Sequence, residues 1–213
     1  MGQVRDAVSQ DNDVTTWPSA GWSLLLPDSW SRIRLPTDRR EQVSALVERA
    51  FATVSRDQGP ELRRALAREL LMLADDAFEG GGHEFYLLTE VRRGLPLAAS
   101  CLVTVIPETM PADVDAEILA RVLANAPGSE PATVTVGDVA VPAVRRSEPK
   151  RFRSPQEGAA PFEVTFTGLD VYVPFPDRSQ ILLLTFRTPM EEIASSMTIL
   201  FEAIAGSLRF REA

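Results

Sequence analysis

The chain has 213 residues, of which 45% are hydrophobic and 24% are charged, and its formal net charge is −8. This composition is ordinary for a globular protein. The negative balance argues against nucleic acid as the main partner, because phosphate binding requires positive charge. The strong preference for Arg over Lys (Lys150 is the one lysine) indicates a GC-rich genome.

Targeting signals and cofactor motifs are not evident in the sequence. The longest mostly apolar run, residues 95–106, is shorter than the about 20 residues that a membrane-spanning helix needs. Residues 1–18 are polar and lack the apolar core of a signal peptide, so we expect a mobile N-terminal segment and a cytoplasmic protein. The single Cys101 excludes an internal disulfide and lies in an apolar run, which favours a buried thiol in a strand.

The first half of the chain alternates short strands and amphipathic helices. Strands are predicted over 21–26 and 30–35, and Pro36-Thr37-Asp38 opens a helix. Gly59-Pro60 starts a second helix, so residues 38–79 form a helical hairpin.

Two further strands and a short helix follow the glycines at 80–82. The segments 84–91 and 97–106 flank a short turn, which predicts an antiparallel hairpin. Asp113 is then expected to cap a short helix that ends near Pro127-Gly128.

Two later segments change the parity of their apolar residues. In 133–144 the change falls at Gly137-Asp138, and in 162–173 it falls at Thr167-Gly168. Either a two-residue hairpin turn or a β-bulge explains each change, and the sequence does not choose between them.

The last third of the chain has the strongest pattern. Residues 181–186 read ILLLTF, a strand with apolar residues on both faces, which predicts a central position in a sheet. Thr188, Pro189 and Glu191 have the spacing of a capping box at a helix start. The helix that follows carries one apolar stripe, predicted to be core: Ile193, Met197, Leu200, Phe201, Ile204 and Leu208. Gly206 is expected to terminate it.

These elements predict an α+β fold with a mainly antiparallel sheet of about six to eight strands flanked by helices. Internal repeats and a linker are not evident. We therefore predict one domain over residues 19–213 after the mobile segment.

The sequence offers no catalytic set and no metal site. His83 is the single histidine and follows three glycines, a position typical of a solvent-facing loop residue. The acidic pairs Asp75-Asp76 and Glu191-Glu192 lie on predicted helices, where a wetted acidic face is the usual interpretation. No cofactor is implied.

The most uneven charge lies in RRSEPKRFR, residues 145–153. Its five basic residues are the candidate binding residues: Arg145, Arg146, Lys150, Arg151 and Arg153. The segment is predicted to be a loop that either docks an acidic partner or pairs with the protein's own acidic surface.

The chain resembles the PsbP-like fold superfamily at its start, GWSLLLPDSW, and most strongly over its last 40 residues. The residues that carry the resemblance are Pro27, Asp28, Trp30, Leu183, Thr185, Phe186, Thr188, Pro189, Phe201, Ile204, Ser207, Leu208 and Phe210. The resemblance implies an antiparallel sheet sandwiched by helices in a bacterial member of the superfamily. Members mostly bind other proteins and share no catalytic set.

The expected function is therefore a non-enzymatic adaptor or scaffold that binds a protein partner. The alternative is a small-ligand binder or enzyme with a pocket between the 38–79 helical hairpin and the sheet. A third possibility is a self-associating structural protein, such as a homodimer, that pairs through an edge strand.

Overall fold

The computed structural model describes residues 14–18, 21–50, 59–92, 95–106, 115–152, 160–176 and 180–211. The strands are β1 (Val14–Pro18), β2 (Trp22–Pro27), β3 (Trp30–Arg34), β4 (Gly82–Arg92), β5 (Leu95–Ile106), β6 (Ser129–Val136), β7 (Val139–Phe152), β8 (Phe162–Pro174), β9 (Ile181–Thr188) and β10 (Arg209–Phe210). The helices are α1 (Arg39–Ala50), α2 (Gly59–Glu79), α3 (Ala116–Leu123) and α4 (Ala194–Gly206).

Seven strands form one antiparallel sheet in the order β3-β4-β5-β9-β8-β7-β6, and β1, β2 and β10 form a smaller sheet. This arrangement confirms the predicted α+β class and the mainly antiparallel sheet. The central position predicted for the ILLLTF strand is also confirmed, because β9 pairs with β5 on one side and β8 on the other.

One face of the large sheet is covered by α4 and the small sheet. Leu182, Leu184 and Phe186 of β9 point into this layer and are almost fully buried. Phe201 of α4 stacks on Phe186 with ring centroids 5.0 Å apart. The predicted apolar stripe of α4 therefore lies in the core, where each large side chain contributes about 1.5–3 kcal/mol of transfer free energy.

The other face is covered at its two sides by separate helices. α1 and α2 pack over β3 and β4, and α3 packs over β7 and β8. Each contact has its own small apolar cluster, centred on Val47 for the helical hairpin and on Tyr172 for α3. Between them, Ser100 and Leu102 of β5 and Thr185 of β9 are only half-buried.

Two predicted helix caps differ from the structure. Thr188 ends β9, and its hydroxyl accepts a hydrogen bond from the Met190 amide at 3.2 Å and donates to the Ala98 carbonyl at 2.7 Å. A 3-10 turn follows, so α4 starts at Ala194 without a side-chain cap. The predicted capping box is therefore wrong, because no helix starts at Thr188 and its hydroxyl is hydrogen-bonded to Ala98 of the neighbouring strand β5.

At α3 the N-cap is Asp115, whose carboxylate accepts from the Ile118 amide at 2.9 Å. The predicted cap was two residues earlier, at Asp113, which lies outside the described residues. The predicted and the observed N-cap are both aspartates of this short acidic stretch, and they differ only in position.

Part of the N-terminal segment 1–18 forms a strand. Val14–Pro18 is β1, which pairs antiparallel with β2 from Val14 opposite Pro27 to Pro18 opposite Ser23. This part of the segment that was predicted to be mobile is therefore paired, and residues 1–13 lie outside the described residues. That 19–213 forms a single domain stays a prediction.

The two parity changes have different explanations. Gly137-Asp138 is a hairpin turn: Val136 pairs with Val139, and Gly137 has a φ of 61°. Thr167-Gly168 is neither a turn nor a bulge, because β8 continues through it in unbroken register with β7. Both alternatives for that segment are therefore wrong, since its apolar residues lie on opposite faces of one strand.

None of the helices in the described ranges is long and apolar enough to cross a membrane.

Candidate binding site on a two-stranded arm

Strands β7 and β8 extend together beyond the rest of the large sheet. β6 reaches along β7 only to the pair Ser129–Arg146, and β9 reaches along β8 only to Thr167–Thr188. Residues 147–152 and 162–166 therefore form a two-stranded projection, which we call the arm. Pro149 is tolerated there because a strand with one neighbour needs fewer backbone donors.

One face of the arm is aromatic. Phe152 and Phe162 are cross-strand partners that stack with centroids 5.8 Å apart, although they remain 39% and 47% exposed. Phe166 lies 6.1 Å from Phe152, and the Lys150 ammonium lies 5.4 Å from the Phe166 ring centroid. Exposed aromatic rings clustered in this way are typical of binding surfaces.

The same face holds a charged cluster at the base of the arm. Asp170 of β8 is 4% exposed, and its carboxylate accepts from Arg146 of β7. It also accepts from Arg187 of β9, at 2.6 Å and 3.3 Å. Two guanidinium groups on neighbouring strands therefore share one buried carboxylate, which ties the three strands together where the arm begins.

Gly168 makes room for this cluster. A Cβ at this position would lie 2.6 Å from Nη1 of Arg187 and 2.7 Å from the Phe186 carbonyl oxygen. The Arg187 side chain thus crosses directly over Gly168 to reach Asp170. A residue with a side chain would push the guanidinium away from the carboxylate.

Burial and the shared carboxylate shift the titration of the neighbouring groups. Burial, followed by the charge of Asp170, raises the pKa of Tyr172 above its ordinary value. Partial burial lowers the pKa of Arg146, but the hydrogen bond and charge of Asp170 outweigh it, so the net shift is upward. Arg146 therefore stays cationic at neutral pH.

A second carboxylate, Glu148, lies where the cluster meets the arm. Its Oε1 is 3.9 Å from both Nε of Arg146 and Nη2 of Arg187, and the side chain is 33% exposed. These separations are within ion-pair range but beyond hydrogen-bond length. Glu148 therefore neutralises the two arginines only loosely.

The five basic residues that were predicted to bind a partner do not lie on one face of the protein. The segment predicted as a loop is strand up to Phe152, so neighbouring basic residues point to opposite faces. Arg146 and Lys150 lie on the aromatic face, Arg145 and Arg151 lie on the other, and Arg153 is outside the described residues. Arg145 pairs with Glu202 of α4 at 2.9 Å, which agrees with the alternative that these charges bind the protein's own acidic surface.

The aromatic residues of the arm were missed as site residues, although the sequence contained the signal. The parity change at Thr167-Gly168 marks the point where the apolar residues of β8 leave the core face. Leu169, Val171 and Val173 point into the core, whereas Phe162 and Phe166 point to the opposite face. Apolar residues on the side without a core are exposed unless another element covers them.

The other candidate positions lie elsewhere. His83 is exposed and makes an edge-to-face contact with Trp22, and Asp75 pairs with Arg39 at 2.7 Å. A cavity of about 380 Å³ lies between the start of α1 and α2, lined by Asp38, Arg39, Arg40, Leu71 and Asp75. These lining residues belong to the helices and to the turn before α1, not to the sheet, so this is not the predicted pocket between hairpin and sheet.

Comparison with known proteins gives a weak structural likeness. No protein-family model matches the chain, and no curated protein matches it in sequence. A solved structure of LpqN, described as involved in cell envelope biogenesis of Mycobacterium tuberculosis, shares 13% identity with a TM-score of 0.41. The match covers 95% of this chain and 94% of that chain. A likeness at this level transfers no function, and the PsbP-like resemblance stays a prediction.

Proposed function

We propose that this protein is a non-enzymatic adaptor that binds a partner protein through the aromatic face of the arm. The observation that carries the proposal is the stacked pair Phe152 and Phe162, exposed on a projection that extends beyond β6 and β9. The pair also stabilises the two-stranded arm, but exposed clusters of large apolar side chains such as this one are typical of interaction sites.

The partner surface is expected to combine apolar and acidic groups. The aromatic face and the base of the arm carry Arg146, Lys150 and Arg187 against Asp170 and Glu148, a net charge of +1 in a chain of net charge −8. The local sign is therefore opposite to that of the whole chain, which favours an acidic partner surface and disfavours contact with the same face of a second copy. A cytoplasmic location is part of this proposal.

Affinity enrichment with matched variants tests the proposal. The bait is the full chain, in wild-type form or with Phe152→Ser and Phe162→Ser, exposed to a lysate of the source cells. We expect one protein to be enriched by the wild type and lost with the double variant, and the purified partner to bind the wild type directly. The control is Ile199→Ser, which removes a 68% exposed apolar side chain from α4 and should retain the partner.

A charge-reversal pair on the same strand separates the two faces. Lys150→Glu should weaken binding of the purified partner, whereas Arg151→Glu should not, because these adjacent exposed residues point to opposite faces. Equal enrichment by wild type and the double Ser variant would overturn the proposal. Concentration-dependent sedimentation that requires Phe152 and Phe162 would replace it with self-association.

A further inference from the structure

Arg146 and Arg187 have a carboxylate on each side, and the two carboxylates are held very differently. Asp170 has a 6% exposed side chain and makes hydrogen bonds to both guanidinium groups. Glu148 is 33% exposed and stays 3.9 Å from both. Asp170 is therefore part of the buried structure, whereas Glu148 occupies an accessible position without hydrogen bonds to the arginines.

We propose that Arg146 and Arg187 form a carboxylate-binding subsite for an acidic side chain of the partner, with Glu148 as its internal competitor. The proposal rests on the proposed function and adds the chemistry of the partner. A carboxylate at hydrogen-bond distance from the accessible side of Arg187, which is 19% exposed, gains charge-assisted bonds that Glu148 does not make. Without Glu148, the two arginines and Asp170 carry a net charge of +1.

The register of the arm sets the spacing of the partner's groups. Arg146 and Phe152 lie on the same face of β7, six positions apart, which corresponds to about 20 Å along an extended strand. A partner segment therefore needs an acidic residue and a large apolar residue about 20 Å apart. That separation is about six residues in an extended segment, or about 13 residues in a helix.

Selected peptides provide the probe. Random peptides of about 16 residues, long enough to cover the arm as strand or helix, are selected on the full chain. The probe is a selected acidic peptide whose binding is lost when Phe152 and Phe162 are both changed to Ser. Its dissociation constant is measured by fluorescence anisotropy, alongside a version in which each Glu is changed to Gln and each Asp to Asn.

Removal of the competitor should tighten binding. Glu148→Gln is expected to lower the dissociation constant of the acidic peptide about two- to fivefold, the size expected for one partly exposed charge. The amide version of the peptide should not respond. The control Glu163→Gln removes a carboxylate from the opposite face of the arm and should change neither.

The outcomes separate the subsite from the proposed function. If Glu148→Gln leaves the affinity for the acidic peptide unchanged or weakens it, while the double Ser variant still abolishes binding, the subsite is wrong and the binding arm remains. If selection returns no peptide that depends on Phe152 and Phe162, both fail. Binding to phosphatidylcholine–phosphatidylglycerol vesicles that requires those phenylalanines would overturn the subsite in favour of a lipid surface.

Discussion

The Asp170→Asn substitution tests whether the charged cluster holds the base of the arm. It keeps the shape of the side chain but removes the negative charge shared by Arg146 and Arg187. The side chains are 6%, 11% and 19% exposed in that order. Removing one partner of a buried ion pair costs about 3–5 kcal/mol, and the partial exposure of Arg187 places the expected loss at about 3 kcal/mol.

For a chain of this length, a loss of about 3 kcal/mol lowers the melting temperature by about 6–12 °C. The assays are thermal unfolding for the melting temperature and urea unfolding for the free energy, both at neutral pH and followed by circular dichroism, with Glu163→Gln as control. Glu163 is exposed on the same strand, so its change should cost less than about 0.5 kcal/mol.

A second variant keeps the test informative. Adding Arg187→Met to Asp170→Asn removes one of the cations left without its carboxylate, so the double variant should lose less than the sum of the two single losses. A loss below about 1 kcal/mol for Asp170→Asn would refute the reasoning, because the arginines would then not depend on that carboxylate. Strict additivity in the double variant would refute it as well.

Four further outcomes follow from the core and the cluster. Phe201→Ala should destabilise by about 3–5 kcal/mol in urea unfolding, because the ring is fully buried, whereas Ile199→Ala on the same helix should be near neutral. Gly168→Ala should cost about 1–3 kcal/mol in the same assay, since its Cβ would displace Arg187; an unchanged midpoint would contradict that contact. Burial raises the pKa of Cys101 above its ordinary 9.0, so the native thiol should resist a thiol reagent that labels the unfolded chain. For the same reason the unfolded thiol loses its proton first as pH rises past about 9, and stability should fall there by about 1.4 kcal/mol per pH unit more than in Cys101→Ala.

The composition of residues 145–153 explains why this segment was predicted as a loop. The segment combines Pro149 with five basic residues, which is typical of a solvated loop. In the arm, however, each residue of β7 has one strand neighbour and one open edge, so proline and exposed charges are compatible with a strand. Composition alone does not distinguish a loop from such an arm.

The partners of the charged side chains also had no local signal. Asp170 lies 24 positions from Arg146 and 17 from Arg187 in the chain. These three residues meet because β7, β8 and β9 are adjacent in a fixed register. A one-residue slip of any of these strands would turn its charge to the other face, so the cluster depends on pairing that no local window contains.

The sequence by itself determined the α+β class, most of the secondary-structure elements, and the central β9 strand with its covering α4 helix. It could do so because the periodicity of apolar residues within about ten positions reports which face of an element is buried. Only the tertiary structure decided that β7 and β8 extend beyond their neighbouring strands to form an aromatic arm, and that two arginines share Asp170 at the base of this arm. Strand ends and ion-pair partners depend on which distant segments lie side by side, and the free energy that selects them is spread over the whole sheet.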